Sequence, residues 1–167
     1  MKRKRLVWHI FPAFLLVTLI AIIAAIWFAS HALEIFYLDQ TAVDLKDRIA
    51  LVRNQIAPHF QPLRADRIDR ICKTTGQASS TRFTVILPDG TVVGDSQENP
   101  AHMDNHAGRP EISAAMQSGS GQSVRYSKTL DRNLMYVAVA MRAENKPAGV
   151  VRTAIPVTSL ENEMRAI

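Results

Sequence analysis

The stretch TRFTVILPDGTVVGDS (Thr81–Ser96) carries the clearest fold signal in this chain. Two short runs rich in β-branched residues flank Pro88-Asp89-Gly90, which is typical of a tight turn between paired strands. In the first run Phe83 and Val85 alternate with Arg82 and Thr84, so we expect one face of a sheet to be core. The stretch predicts an antiparallel hairpin.

The segments around this hairpin complete an α+β pattern. We predict a short helix over 63–73, a loop over 74–80, and a helix that begins at Pro110 and stops at Gly119. Three more strands are predicted over 121–130, 134–141 and 150–157, with turns at 130–133 and 144–149; residues 158–167 are predicted to start a last helix. The fold class is therefore α+β, with helices around one antiparallel sheet of five strands.

The N-terminal region carries a membrane signal. Residues 10–29 (IFPAFLLVTLIAIIAAIWFA) contain no charge, and a helix of this length spans about 30 Å, the thickness of a bilayer's hydrocarbon core. Lys2, Arg3, Lys4 and Arg5 precede the span, so the N-terminus is predicted to be cytoplasmic. A cleaved signal peptide, with Ser30–Ala32 as its cleavage site, is the alternative. These four charges account for most of the net charge of +5, so nucleic-acid binding is not supported.

The membrane helix is predicted to continue as a rod to residue 57, because neither proline nor glycine occurs between Pro12 and Pro58. Its outer half has an apolar stripe with alternating spacings of three and four. The stripe predicts either packing on the chain's own domain or the seam of a parallel homodimer, and it consists of Ile35, Leu38, Ala42, Leu45, Ile49, Val52 and Ile56. Cys72 is the only cysteine, so we expect a packed thiol rather than an internal disulfide; an intermolecular bridge is the alternative.

The loop HMDNHAGRPEI (His102–Ile112) offers three chemical interpretations. His102 and His106, with Asp104, have a spacing that suits a metal on a helix, but Gly108 and Pro110 favour a loop, so no metal site is predicted. No sequence pattern assigns a base to any serine, so no catalytic residues are predicted. The remaining interpretation is an anion-binding pocket, since Arg109 stands beside a helix N-terminus.

Taken together, VILPDGTVVGDS (85–96), MDNHAGRPEI (103–112), VRYS (124–127), MYVAVAM (135–141) and GVVRTAIPV (149–157) resemble a known sensor domain. It is the extracytoplasmic PAS-like domain, called PDC or single Cache, of membrane histidine kinases of the phosphate-regulon sensor type. The resemblance covers essentially the whole chain and implies a sensor in the bacterial inner membrane, with its sheet in the periplasm or outside the cell. In this family a second transmembrane helix and the kinase core follow, so no enzymatic activity is expected of this chain.

The resemblance and the chemistry agree on a pocket on one side of the sheet. The candidate ligand-binding residues are Asn105, His106, Arg109, Arg125, Tyr126 and Tyr136. The alternative is that Asn105, His106 and Arg109 only brace the loop and that the tyrosines are core. Expected partners are the membrane, a second copy of the chain, and a small anionic ligand or an extracytoplasmic partner protein, with no cofactor. The output of the parent protein could also be a chemoreceptor or a cyclic-dinucleotide enzyme, and the chain could instead be a stand-alone anchored interaction protein.

The predicted organisation has five parts. They are a basic cytoplasmic tail (1–9), a transmembrane helix (10–29), a long extracytoplasmic helix (30–57), the PAS-like domain (58–157) and the start of an exit helix (158–167).

Overall fold

The computed structural model describes residues 3–127, 131–143 and 146–157. In chain order the elements are helix α1 (Arg3–Ile56), a 3-10 turn (Ala57–His59), helix α2 (Ala65–Ser79), strands β1 (Arg82–Ile86) and β2 (Val92–Asp95), a 3-10 turn (Pro100–His102), helix α3 (Pro110–Ser118), and strands β3 (Ser120–Ser127), β4 (Arg132–Ala143) and β5 (Lys146–Pro156). The predicted α+β class, with a long N-terminal helix and a five-stranded antiparallel sheet, is confirmed. The predicted exit helix (158–167) lies outside the described residues.

The chain divides into two compact units, Met1–Gln40 and Thr41–Ile167. The described part of the first unit is entirely helical, and most of its large apolar side chains between Phe11 and Phe36 are exposed, for example Trp27 and Phe28. Within the described residues one helical segment, Phe11–His59, is long and apolar enough by composition to cross a membrane, with a mean hydropathy of 2.6 in its most apolar window. Ile35 and Leu38 of the predicted stripe belong to this unit, Ile35 exposed and Leu38 half-buried.

In the second unit the stripe on α1 is packed inside the protomer. All five of its members there are at most 2% exposed: Ala42, Leu45, Ile49, Val52 and Ile56. On the neighbouring face, Arg48 donates to the carbonyl oxygen of Ser79 at 3.2 Å, which ties α1 to the end of α2. Of the two uses predicted for the stripe, the structure therefore shows the intramolecular one at these five positions, and a second copy has no access to them.

Helix α2 is longer than its sequence pattern predicted. It begins at Ala65 and continues to Ser79, so the predicted loop at 74–80 was wrong except at its last residue. The glycine in this segment reflects a close approach rather than a turn, because a Cβ on Gly76 would collide with the side chain of Ser96. Ile68 and Cys72 are buried, which confirms the predicted packing of the thiol. The helix ends where Ser80 adopts a left-handed conformation, with φ of 51°.

The sheet has the strand order β2-β1-β5-β4-β3, and every neighbouring pair is antiparallel. Both faces of β1 are covered, so the expectation of a single core face was too narrow. On one face Val85 stands opposite Gly94, where a Cβ would come within 3.0 Å of Ile68 in α2. On the other face lies an apolar cluster that includes α3 and consists of Ile86, Val92, Ile112, Ala115, Ala138 and Val150.

Among the remaining helices and strands, the ends of α3 agree with the sequence prediction, and the starts of two strands differ from it. Helix α3 begins at Pro110 and is capped by Gly119 with φ of 91°, as predicted. Strand β4 already includes Arg132 and Asn133, which were predicted to be turn residues, and β5 begins at Lys146 rather than at Val150. The long ladder between β4 and β5 extends both strands, since each added pair contributes hydrogen bonds that a local turn signal does not register. Residues 128–130, at the end of the strand predicted over 121–130, and residues 144 and 145 of the predicted turn lie outside the described residues.

Candidate ligand-binding site

The loop before α3 is held on the turn of the first hairpin. Asn105 donates from its amide to the carbonyl oxygen of Asp89 at 2.8 Å, and its side-chain oxygen accepts from the backbone N–H of Ala107 at 2.9 Å. The backbone N–H of His106 donates to the carbonyl oxygen of Gly90 at 2.9 Å. Gly90 has φ of 87° and no room for a Cβ, because Asn105 and Ala107 lie against it. Asn105 therefore braces the loop, and the brace places His106 in a buried position over the sheet.

The pairing register determines which strand side chains share this side of the sheet. Ser123, Tyr136 and Ala154 are paired across β3, β4 and β5, and Ala154 is paired with Arg82 of β1. The adjacent row on the same face runs from Gly121 through Ala138, Arg152 and Thr84 to Asp95. Because small residues occupy Ala154 in the first row and Gly121 and Ala138 in the second, the long polar side chains beside them have room to lie over the sheet.

A first buried ion pair lies at the β1–β2 end of this face. The Nε atom of Arg82 donates to both carboxylate oxygens of Asp95, each at 3.1 Å. Thr84 also donates to this carboxylate at 2.7 Å, and the backbone N–H groups of Gln97 and Glu98 donate to its Oδ1 atom. Asp95 is fully buried, so these donors together replace the water that its charge has lost.

A second cluster is centred on Glu111 in the first turn of α3. Its carboxylate accepts hydrogen bonds from Ser123 at 2.8 Å, from Nη2 of Arg125 at 3.0 Å and from Nη1 of Arg152 at 3.3 Å. Burial alone would raise the pKa of Glu111, but the hydrogen bonds from Arg125 and Ser123 outweigh it and hold the pKa at about 2. Arg152 also donates to Thr84 at 3.1 Å, so the two clusters form one continuous network.

Tyr136 lies between the two arginines of this second cluster. The guanidinium carbon of Arg125 is 4.0 Å from the centre of its ring, and that of Arg152 is 4.9 Å away. Both distances are within the range of cation–π attraction, which strengthens when the groups are desolvated. The buried ring therefore holds two positive charges close together on the same face.

Above this network is a cavity of about 300 Å³, at the lower end of the size range of small-molecule sites. Its wall contains four arginines, Arg82, Arg109, Arg125 and Arg152. The other lining residues are Glu98, His102, Met103, Asp104, His106, Tyr126, Ser127 and Tyr136. The cavity is therefore polar and rich in guanidinium donors.

Two buried nitrogens in this wall have no hydrogen-bond partner among the described residues: Nε of Arg152 and Nδ1 of His106. The guanidinium of Arg109 has no hydrogen bond or ion pair there either, although Arg109 lines the same cavity. Burial, followed by the nearby charges of Arg152 and Arg109, lowers the pKa of His106 to about 4, so its imidazole is neutral at pH 7. Since buried polar groups are almost always paired, the Nε–H group of Arg152 marks where a bound molecule would supply an acceptor.

Five of the six candidate residues lie at this cavity: His106, Arg109, Arg125, Tyr126 and Tyr136. Asn105 does not line it, which agrees with its bracing role. Sequence reasoning missed Arg82, Arg152 and the anchoring carboxylate of Glu111. A usable signal was the position of each missed arginine inside an apolar strand, in TRFTVIL and VVRTAI, where an isolated charge must find a partner. Among the described residues no group of three His, Cys, Asp or Glu side chains is placed to hold a metal ion.

Comparison with known proteins identifies relatives by structure only. No protein-family model and no curated protein sequence matches the chain. The ligand-binding domain of the Pseudomonas fluorescens chemoreceptor CtaA in complex with L-serine is similar, with a TM-score of 0.59, 17% identity, and coverage of 75% of this chain and 57% of that one. The same domain in complex with L-isoleucine gives a TM-score of 0.59 and 17% identity, covering 78% of this chain and 56% of that one.

The sensor domain of the V. cholerae histidine kinase DctB is similar to the same degree, with a TM-score of 0.59, 15% identity, and coverage of 80% of this chain and 57% of that one. The chain thus spans less than two thirds of the length of these solved domains. At such identities the likeness establishes the fold, which agrees with the PAS-like Cache (PDC) fold that the resemblance implied.

Proposed function

We propose that this chain is the extracytoplasmic signal-sensing input module of a membrane-anchored receptor, and that the arginine-lined cavity binds a small anionic ligand. The observation that carries the proposal is the buried Nε donor of Arg152, a residue of the cavity wall, which has no hydrogen-bond partner within the described part of the chain. A bound carboxylate or similar anion would accept from it and from the free guanidinium of Arg109. The solved domains of similar fold support a sensing role, since they come from chemoreceptors and a histidine kinase.

The anchor in this proposal is the apolar helix over 10–29. Its large apolar side chains, Phe14 and Trp27 among them, are exposed in the structure, and lipid would cover them. The four basic residues at positions 2–5 place the N-terminus in the cytoplasm by the positive-inside rule, which puts the sheet in the periplasm or outside the cell. Protease treatment of intact spheroplasts tests the orientation: cleavage within residues 41–157 supports it, and protection contradicts it.

For the output, we propose a two-component histidine kinase of the phosphate-regulon type as the parent protein, with a chemoreceptor or a cyclic-dinucleotide signalling enzyme as the alternative. The loop motif MDNHAGRPEI and the strand VRYS favour the kinase. The DNA that follows the codon for Ile167 distinguishes these outputs. A second membrane span leading to a histidine-containing dimerisation helix supports the kinase, whereas a chemoreceptor signalling domain or a stop codon contradicts it.

A parallel homodimer is also part of the proposal, because α1 exposes apolar side chains beside its packed stripe, notably Val43 and Leu51. Disulfide crosslinking of single cysteines along α1, in the full chain with Cys72→Ser, tests this. Crosslinks at Val43→Cys or Leu51→Cys, with none at the buried controls Leu45→Cys and Ile49→Cys, support a dimer through this face. Equal crosslinking at all four positions contradicts it.

The ligand site is tested with the full chain in detergent micelles and a panel of small anions that includes acetate, succinate and inorganic phosphate. An anion at a hundredfold excess over its Kd should stabilise the wild type by about 2.7 kcal/mol, which raises Tm by several degrees. Arg109→Ala should lose this response, and Arg67→Ala, which changes an exposed arginine on α2, should keep it. An equal response in both variants would remove Arg109 from the site, and no response in the wild type would contradict the anion site.

A further inference from the structure

The network beneath the cavity contains an excess of one positive charge. Among the described residues, three guanidiniums, those of Arg82, Arg125 and Arg152, are joined by hydrogen bonds to two carboxylates, those of Asp95 and Glu111. The Glu111 carboxylate is shared, because its Oε1 atom accepts from both Arg125 and Arg152. A guanidinium remains protonated in proteins, so the excess is not removed by loss of a proton.

Most of this network is shielded from water. Asp95 and Glu111 are fully buried, Arg152 is 3% exposed and Arg82 is 5% exposed, while the side chain of Arg125 is 23% exposed. Charges in such surroundings interact strongly, whereas exposed charges are weakened by solvent and salt. An anion in the cavity therefore experiences the net charge of the buried network more strongly than that of the cavity mouth.

The mouth of the cavity does not favour additional negative charge. Glu98 and Asp104 line it and are exposed, and Arg109 is the cation among them. His106 adds no charge at neutral pH, because burial and the neighbouring guanidiniums hold its pKa at about 4. A second negative charge on the ligand would therefore face two carboxylates and a network already neutralised by the first.

From this charge balance we propose that Glu111 is the residue that sets the charge of the ligand, and that the site selects an anion with one negative charge over an isosteric dianion. Glu111 acts as a built-in counter-anion: by accepting hydrogen bonds from two guanidiniums it leaves one positive charge in the buried network, in addition to the charge of Arg109. The inference rests on the proposed function, since it presupposes that the cavity binds an anion.

The charge of Glu111 can be removed with little change in shape. In Glu111→Gln the side-chain oxygen still accepts from Arg125 and Arg152, and the amide nitrogen can donate to the hydroxyl of Ser123. The substitution raises the excess of the buried network to two positive charges. Arg109→Gln changes the charge in the opposite direction and breaks no ion pair among the described residues.

The probes are succinamate and succinate, which have nearly the same shape and differ by one negative charge at pH 7.5. Their Kd values are measured by calorimetry with the full chain. The wild type should bind succinamate about tenfold more tightly, Glu111→Gln should shift the ratio of the two Kd values about tenfold towards succinate, and Arg109→Gln should shift it further towards succinamate. Ser123→Ala, which removes a hydrogen bond to Glu111 but no charge, should keep the wild-type ratio.

A wild type that prefers succinate, or a ratio that is the same in the wild type and in both charge variants, would overturn the inference while leaving the anion site intact. Binding of neither probe to the wild type would contradict the anion site and the inference together. If Glu111→Gln does not fold, the wild-type ratio and the Arg109→Gln ratio still decide whether the site selects the monoanion.

Discussion

Glu111 and Arg152, forty-one positions apart in the chain, form a buried ion pair with an Oε1–Nη1 distance of 3.3 Å. The pair joins the first turn of α3 to the central part of β5, on the sheet face that carries the cavity. Such a pair has a large desolvation cost, which its own Coulomb attraction offsets only with further hydrogen bonds. Here Ser123, Arg125 and Thr84 provide those bonds, so the geometry of the site depends on the whole network.

The first prediction concerns the other buried pair. Arg82→Met should lower the free energy of unfolding by about 3–5 kcal/mol, because the fully buried carboxylate of Asp95 would lose its only guanidinium among the described residues. Chemical denaturation of the full chain in micelles measures this. Arg67→Met, at an exposed position of α2, is the control and should change stability by less than about 0.5 kcal/mol. If both variants lost a similar free energy of unfolding, the buried ion pair would contribute no more to stability than an exposed arginine does.

A second prediction uses two glycines of the same unit. A Cβ on Gly121 would collide with the carbonyl oxygen of Glu111 and lie 2.7 Å from Cβ of Ala114, whereas a Cβ on Gly108 would meet nothing within 4 Å. Gly121→Ala should therefore destabilise the protein by about 1–3 kcal/mol, since α3 must move away from β3. Gly108→Ala should be neutral or slightly stabilising. A Gly121→Ala variant as stable as the wild type would contradict the close packing of α3 on β3.

Cys72 provides a third prediction, about reactivity. Burial, with a smaller contribution from Asp95 and Asp69, raises the pKa of its thiol to about 12, so almost no thiolate is present at pH 7.5. Maleimide should not label the folded full chain and should label it completely in denaturant. In a Cys72→Ser background, Gln77→Cys on the exposed face of α2 should label readily in the folded state. Rapid native labelling of Cys72, or a disulfide-linked dimer through it, would contradict this burial.

The fourth prediction concerns pH. The pKa of His106 is lowered from 6.5 to about 4 in the folded state, by burial and by the charges of Arg152 and Arg109. Between these two values the unfolded chain binds a proton that the folded chain excludes, so stability should fall as pH decreases from 6.5 towards 4. The pKa of Glu111 is about 2 in the folded state, so protonation of this carboxyl lowers stability only as pH falls below its ordinary pKa of 4.5.

The pH effect is checked by measuring Tm of the full chain between pH 5 and pH 7, above the range where Glu111 contributes. His106→Gln should show a smaller decrease in Tm on acidification than the wild type, because the position no longer titrates. His102→Gln, on the exposed part of the same loop, should keep the wild-type slope. An unchanged slope in His106→Gln would mean that the imidazole is not buried beside the guanidiniums.

Local patterns were enough to predict most elements. The Pro88-Asp89-Gly90 turn predicted the hairpin, and Pro110 with Gly119 predicted the two ends of α3, because each signal acts through nearby backbone geometry. The same reasoning was wrong for the end of α2. Gly76 was interpreted as a loop residue, although the structure uses its missing Cβ to bring the helix against Ser96. A sequence shows that a glycine is present but not which neighbour requires it.

The sequence predicted some of the residues that line the cavity but not all of them, because neighbours in the fold are not visible in the sequence. His106, Arg109, Arg125, Tyr126 and Tyr136 stood out because their residue types suit an anion site, and they do line one cavity. Arg82 and Arg152 were missed, and Asn105 was included although it braces the hairpin turn. Roles of this kind depend on which strands become neighbours, and that cannot be read from one strand alone.

By itself, the sequence determined the apolar N-terminal helix, the α+β order of elements and the hairpin, since these depend on hydrophobic periodicity and turn chemistry within short segments. Only the tertiary structure decided how the stripe on α1 is used in the second unit, where the burial of Leu45 and Ile49 inside the protomer stabilises the fold. It also decided the charge of the site. The strand order β2-β1-β5-β4 brings Asp95, Arg152 and Tyr136 onto one face, and the excess of one positive charge exists only because that register unites the charged side chains.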